Sequence, residues 1–264
     1  VTWELPAGYA AGLFDMGTTP WMVFTQDSRE FMPRLPDGFA DHVITDPPYD
    51  EHTHASLMSA AASKSTTRTT GRRGERPAMV SLDFEPLADV DALVSDLVRL
   101  SRRWALAFCS LEMLGAYRDA AGDSWVRAGF WHRPDGAPQF SGDRPAQAGE
   151  AVAVMHRAGR KRWNGGGHRA FWSCGVEHDD RVHPTQKPLA LMMRLVEQFT
   201  DPGDLVFDPF CGSGTTGVAC LRLGRRFVGV ERDERYAALA CERLRAESGG
   251  LSLSAARAGQ VALL

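Results

Sequence analysis

LVFDPFCGSGTTGVACLRLG, residues 205–224, decides the fold. The apolar run 205–210 predicts a buried strand, and 215–223 predicts a helix that Gly224 stops. Between them, Gly212, Ser213, Gly214, Thr215, Thr216 and Gly217 have the spacing G-x-G-x-x-G. Glycines at this spacing permit a tight turn and let a ligand approach the backbone. RFVGVE (226–231) follows as a second strand, and its terminal Glu231 comes about 20 residues after the loop. The glycine spacing alone is common in βα turns. A strand before it, a helix after it and an acid closing the next strand point to a nucleoside site in an open α/β sheet. Glu231 is suited to accept hydrogen bonds from two ribose hydroxyls.

Asp208 narrows the ligand. A diphosphate suits a helix N-terminus and is repelled by a carboxylate just before the loop. A nucleoside with a positively charged substituent tolerates that acid. Phe210 and Cys211 make the entry to the loop apolar. A ribose, an α-ammonium and a sulfonium together describe S-adenosylmethionine, and the same residues speak against NAD.

Further out, WMVFT (21–25), HVIT (42–45), WALAFCS (104–110), VRAGFWHR (126–133) and EAVAVMHR (150–157) predict strands. Residues 86–103 place apolar side chains at 90, 93, 94, 97, 98 and 100, the stripe of an amphipathic helix. Residues 28–39 predict a short helix and a loop; 111–122, 188–199 and 233–247 predict helices, with Pro188 in a first turn and Asp233 as an N-cap. Two stretches lack a sustained period: 51–80, expected to be a mobile loop, and 157–182.

Asp46, Pro47, Pro48 and Tyr49 follow the strand HVIT directly. Two prolines lock the backbone and remove two N–H donors. The Asp46 carboxylate and the Pro47 carbonyl are then placed to accept the two hydrogens of an exocyclic NH2 on an aromatic base. That draws the nitrogen lone pair out of conjugation and aims it at an electrophile, with Tyr49 stacking on the base.

On these residues the chain resembles the amino-directed DNA methyltransferases, which act on adenine N6 or cytosine N4. DPPY (46–49) matches their catalytic motif and DPFCGSGTT (208–216) their cofactor loop. HPTQKP (183–188) matches the segment before their first cofactor strand. The catalytic motif precedes the cofactor loop, which is the permuted order of the β group. The likeness spans roughly residues 20–247. It implies one Rossmann-like catalytic domain over 1–264, with a mostly parallel sheet and helices on both faces. It also implies S-adenosylmethionine as methyl donor, S-adenosylhomocysteine as product and no metal. Cofactor contacts would come from Asp208, Phe210, Cys211, Gly212, Ser213, Gly214, Thr215, Thr216 and Glu231. Gln186, Lys187 and Pro188 would close over the methionine part. Asp27 would contact the cofactor adenine, although Gln26 stands where the family has Gly; Asp27 serves equally well as an N-cap for 28–33.

The resemblance places target recognition in 157–182, and base flipping would bring the target to Asp46. The DPPY form favours adenine N6. Cytosine N4, an RNA or protein-amide methyltransferase, and a DNA-binding regulator with an idle fold are the alternatives.

Composition fits. The 264 residues carry net charge −3 and 44% hydrophobic residues, which excludes a disordered chain. The total alone speaks weakly against a polyanion partner. However, 64–76 and 157–169 hold ten Lys or Arg against one acid, leaving −12 on the rest of the chain. Lys64, Arg68, Arg72 and Arg73 in the first, and Arg160, Lys161, Arg162, Trp163, Asn164 and Arg169 in the second, are the expected DNA contacts. Five cysteines without CxxC spacing argue against a disulfide framework and for a reducing cytoplasm; the resemblance implies a bacterial or phage-encoded, nucleoid-associated protein. No stretch approaches a membrane span, and VTWELPAGYAAGLFDMG (1–17) lacks the features of a signal peptide. DNA is the expected partner; a homodimer is left open.

Overall fold

The computed structural model describes residues 19–48, 89–136, 142–175, 186–251 and residue 257. Tyr49, the basic loop 51–80 with Lys64, Arg68, Arg72 and Arg73, and His183, Pro184 and Thr185 lie outside the described residues.

The strands are β1 (Trp21–Thr25), β2 (His42–Thr45), β3 (Trp104–Cys109), β4 (Trp125–His132), β5 (Gly149–His156), β6 (Phe171–Ser173), β7 (Leu205–Asp208) and β8 (Arg226–Glu231). They form one sheet in the order β1-β8-β7-β2-β3-β5-β4-β6. Every pairing is parallel except those of β5 with β3 and with β4. Among the described strands, β5 alone therefore runs against the rest. β2, β3 and β7 are buried along their whole length, as expected of central strands covered on both faces.

The helices are α1 (Ser28–Phe31), α2 (Val90–Leu100), α3 (Leu114–Ala121), α4 (Leu189–Phe199), α5 (Thr215–Arg222) and α6 (Glu234–Ser248). Alternation along a strand sends side chains to two cores. Ala105, Ala107 and Cys109 join Leu93, Val94 and Leu97 of α2 and Tyr117 of α3. Trp104, Leu106 and Phe108 join Leu191, Leu195 and Phe199 of α4 and Val218 of α5. The sheet is thus sandwiched between two helical layers, the mostly parallel Rossmann-like arrangement expected from the sequence.

Three details differ from expectation. α3 starts at Leu114, because Ser110 Oγ accepts from Met113 N at 3.2 Å and holds 111–113 in a turn. α4 starts at Leu189, with Pro188 as its N-cap. The irregular stretch 157–182 contains β6, too short to leave a periodic signature. Among the described residues, no helix is long and apolar enough to cross a membrane.

Candidate active site at the carboxyl edge of the sheet

β2 and β7 lie side by side and parallel, with Val43 opposite Phe207. Both predicted motifs therefore leave the same edge of the sheet. Thr45 Oγ1 donates to Asp208 Oδ1 at 2.7 Å, tying the end of one strand to the end of the other. Asp46 follows immediately, with Pro47 buried behind it.

Asp208 is a hub. Besides Thr45, it accepts from Thr216 Oγ1 at 2.6 Å and from Phe210 N at 3.1 Å. Burial pushes its pKa up to about 6, against the pull of those hydrogen bonds. The sequence placed this acid beside a loop whose ligand would have to tolerate it. In the structure, Asp208 is 2% exposed and joins β2, β7 and α5.

Cys211 N bonds to Val230 O at 3.0 Å, and Gly214 N to Cys211 O at 2.8 Å, which folds the loop back onto β8. Gly214 adopts a left-handed φ of 81°, and a Cβ there would lie 3.0 Å from Ala240 Cβ on α6. Arg243 of α6 is buried and donates to Ser213 O at 2.7 Å, to Ser213 Oγ at 3.0 Å and to Thr215 Oγ1 at 3.1 Å. Arg243 belongs to no motif in the sequence. Its signal was helical spacing, because Ala237, Ala240 and Arg243 recur on the buried face of α6.

Glu231 closes β8 and is 8% exposed. Its Oε2 accepts from Gly212 N and its Oε1 from Asp233 N, both at 2.9 Å. Burial raises its pKa, against the pull of these N–H groups. Asp27 N-caps α1 through Arg29 N at 2.9 Å and pairs with Arg29 Nη2 at 2.6 Å, a contact that lowers its pKa. The cap is one of the two roles read for it. Ser28 Oγ donates to Pro209 O, binding α1 to the turn after β7. Ser213 Oγ donates to Gln186 Oε1 at 3.4 Å, so the segment before α4 reaches the glycine loop.

Lys187 turns toward the Asp46 turn. Its Nζ lies 2.6 Å from Asp46 Oδ2 and 2.9 Å from Glu150 Oε2. Burial alone would lower its pKa, but the Asp46 and Glu150 carboxylates outweigh burial and raise it. Glu150 is a second residue the sequence analysis passed over. An acid opening the apolar strand EAVAVMH was the available signal, but the site edge is reached by the start of β5 only because that strand is reversed.

The same reversal moves the second basic stretch away. The carboxyl end of β5 emerges at the opposite edge, with His156 across from Trp104, the first residue of β3. Trp104 Nε1 donates to Arg162 O at 2.6 Å, and Arg162 pairs with Asp201 at 3.1 Å, ahead of β7. Asn164 Nδ2 donates to Thr200 O at 2.8 Å, and Trp163 packs edge-on against Phe199. Arg160 and Lys161 are exposed between Arg157 and Arg162. The structure does not bring these five residues, Arg160 to Asn164, to Asp46. A six-residue strand, roughly 20 Å, separates the two edges. Arg169 stands apart from them, exposed beside the outer strand β6 in an open hollow with His168 and Phe171. Among the described residues, no group of three or more His, Cys, Asp or Glu could hold a metal ion.

Comparison with known proteins agrees with this geometry. A DNA methylase family profile, of the N6/N4 type, matches residues 129–242, from β4 into α6. The chain is 28% identical over 280 residues to the Type II methyltransferase M.XycI of Xanthomonas campestris pv. cyanopsidis, covering 87% of this chain and 89% of that one. Among solved structures it is similar to the M1.HpyAVI–SAM complex, with a TM-score of 0.61 and 24% identity over 85% of this chain and all of that one. It is equally similar to PvuII DNA methyltransferase, described as cytosine-N4-specific: TM-score 0.61 and 16% identity, covering 84% and 85% of the two chains. These likenesses show a shared fold. Two motif-bearing strands thus pair at one edge of that fold, and over residues 129–242 the chain is similar to the N6/N4 DNA methylases.

Proposed function

We propose that this protein transfers a methyl group from S-adenosylmethionine to the exocyclic N6 amine of adenine in DNA. The observation that carries the proposal is the Thr45–Asp208 hydrogen bond, which joins the strand bearing Asp46 to the strand bearing the glycine loop. An amine held at Asp46 and a donor held at Gly212–Gly214 would then meet between adjacent strands. The donor set fits such a ligand. Glu231, at the end of β8, keeps lone pairs on oxygens that each take one backbone N–H, and these suit ribose hydroxyls. Asp27 and Glu231 set acids around a cationic donor at the same edge. When bound, the donor supplies an electrophilic methyl group on sulfonium.

The protein's task is alignment. Asp46 and the Pro47 carbonyl grip the amine hydrogens, and the nitrogen lone pair points out of the base plane. That lone pair forms the C–N bond as the C–S bond breaks, with its electron pair left on sulfur. The methylated nitrogen then releases one proton through Asp46 to water. Asp46 needs little basicity, because the amine becomes acidic only once methylated. The target base leaves the duplex stack to reach the turn.

The Asp-Pro-Pro start of the turn, in place of a Ser-initiated one, supports adenine. Likeness to a cytosine-N4-specific enzyme supports N4 transfer as the second reading. Incubating the protein with plasmid and labelled S-adenosylmethionine, then digesting and identifying the nucleoside, separates the two. N6-methyladenine is the expected product, and N4-methylcytosine would replace the first reading by the second. Unlabelled DNA would refute both, and label persisting in Asp46→Ala would refute the role of Asp46.

A further inference from the structure

We infer that Lys187 and Glu150 form a positioning pair for Asp46, so that Lys187 serves the amine-gripping turn and not the methyl donor. The inference rests on the methyl-transfer role proposed above. Three parts of the chain meet here: the turn after β2, the start of β5 and the segment before α4. The Lys187 ammonium lies between the two carboxylates, 2.6 Å from Asp46 and 2.9 Å from Glu150. The rings of Phe108 and Trp131 wall it in, with centroids at 4.9 and 5.8 Å. Lys187 is 9% exposed, so water does little to hold it. Two carboxylates and two ring faces fix a flexible side chain in one place.

This arrangement solves a problem of charge. During transfer, positive charge passes from the donor sulfur to the target nitrogen. A carboxylate beside that nitrogen stabilises the arriving charge. A lone Lys187 on Asp46 would orient the carboxylate but cancel its charge. Glu150 returns the negative charge that Lys187 removes, so Asp46 is both oriented and left with its field. Arg133 approaches the other Glu150 oxygen, Oε1, at 3.5 Å; it is 28% exposed, and water screens it.

The test uses the full chain, plasmid DNA and labelled S-adenosylmethionine, with kcat and the donor KM measured separately. Glu150→Gln keeps the shape and removes the charge. It is expected to lower kcat by at least about tenfold while the donor KM stays within about threefold. Lys187→Met removes the cation that lies between the two carboxylates. The double variant Glu150→Gln/Lys187→Met restores a single negative charge, so it should exceed Lys187→Met alone in kcat by about threefold or more. A Glu150→Gln enzyme with wild-type kcat overturns the pair while leaving the methyl-transfer role standing. So does a Lys187→Met enzyme whose donor KM rises with kcat unchanged. A double variant no better than Lys187→Met shows that the two residues matter only for packing. Wild-type protein silent on DNA overturns the pair and the role together.

Discussion

Asp208 shows how one residue joins stability to the site. Its pKa is raised from 3.8 to about 6, because burial disfavours the charged form more than Thr216, Thr45 and Phe210 favour it. A raised carboxylate pKa means that the folded state binds the proton more tightly than the unfolded chain. The contribution of Asp208 to stability is therefore full below its ordinary value and is lost as pH rises towards about 6. The shift corresponds to about 3 kcal/mol across that window. Denaturant titrations of wild type and Asp208→Asn at several pH values should show a shallower decline in the variant. Identical slopes would mean that Asp208 does not titrate there. Its position before the loop was legible in the sequence. Its partners were not, since the Thr45 hydroxyl reaches it only after two distant strands have paired and the Thr216 hydroxyl only after the glycine loop has folded α5 back over β7.

At the scale of elements, hydrophobic period was the strongest signal, and it predicted best where burial is complete. The stripe over 86–103 became α2, whose buried face is Leu93, Val94, Leu97 and Leu100. The glycine loop also hides a packing demand that spacing alone does not express. Gly217 lies in the first turn of α5, where a Cβ would come within 2.7 Å of the Phe227 ring and 2.8 Å of Leu244. Its role is to let α5 settle onto β8 and α6. Gly217→Val should cost about 1–3 kcal/mol by overpacking, read as a lower denaturation midpoint. A midpoint equal to wild type would show that α5 can lift without penalty. What the sequence concealed was strand direction. EAVAVMHR and WALAFCS carry the same apolar signature, although β5 and β3 run oppositely. Side-chain alternation is blind to polarity, and hydrogen-bond partners decide it.

For the whole molecule, that reversal redistributes charge. Clustered cations in 157–169 suggested a phosphate grip, but Arg160, Lys161 and Arg162 ride on the edge away from Asp46, with Arg162 paired to Asp201. Changing Arg160, Lys161 and Arg162 together to Ala should leave kcat and the KM for DNA within about twofold at moderate salt. A tenfold rise in that KM would show that DNA also wraps the far edge. The fold class, both motif turns and the order of every described strand but β6 were thus legible from chain patterns that are local. Glu150, Arg243 and the address of the second basic stretch were not, since each depends on pairing between distant segments. β5 has one more consequence, for engineering. Ala158, Gly159 and Arg160 form an exposed bend at the edge of the sheet opposite Asp46. It is a natural port for grafting, where a foreign reading head could be spliced in without crowding the Asp46 turn. A ten-residue flexible insert between Ala158 and Gly159 should retain methyl transfer, whereas the same insert between Thr45 and Asp46 should abolish it.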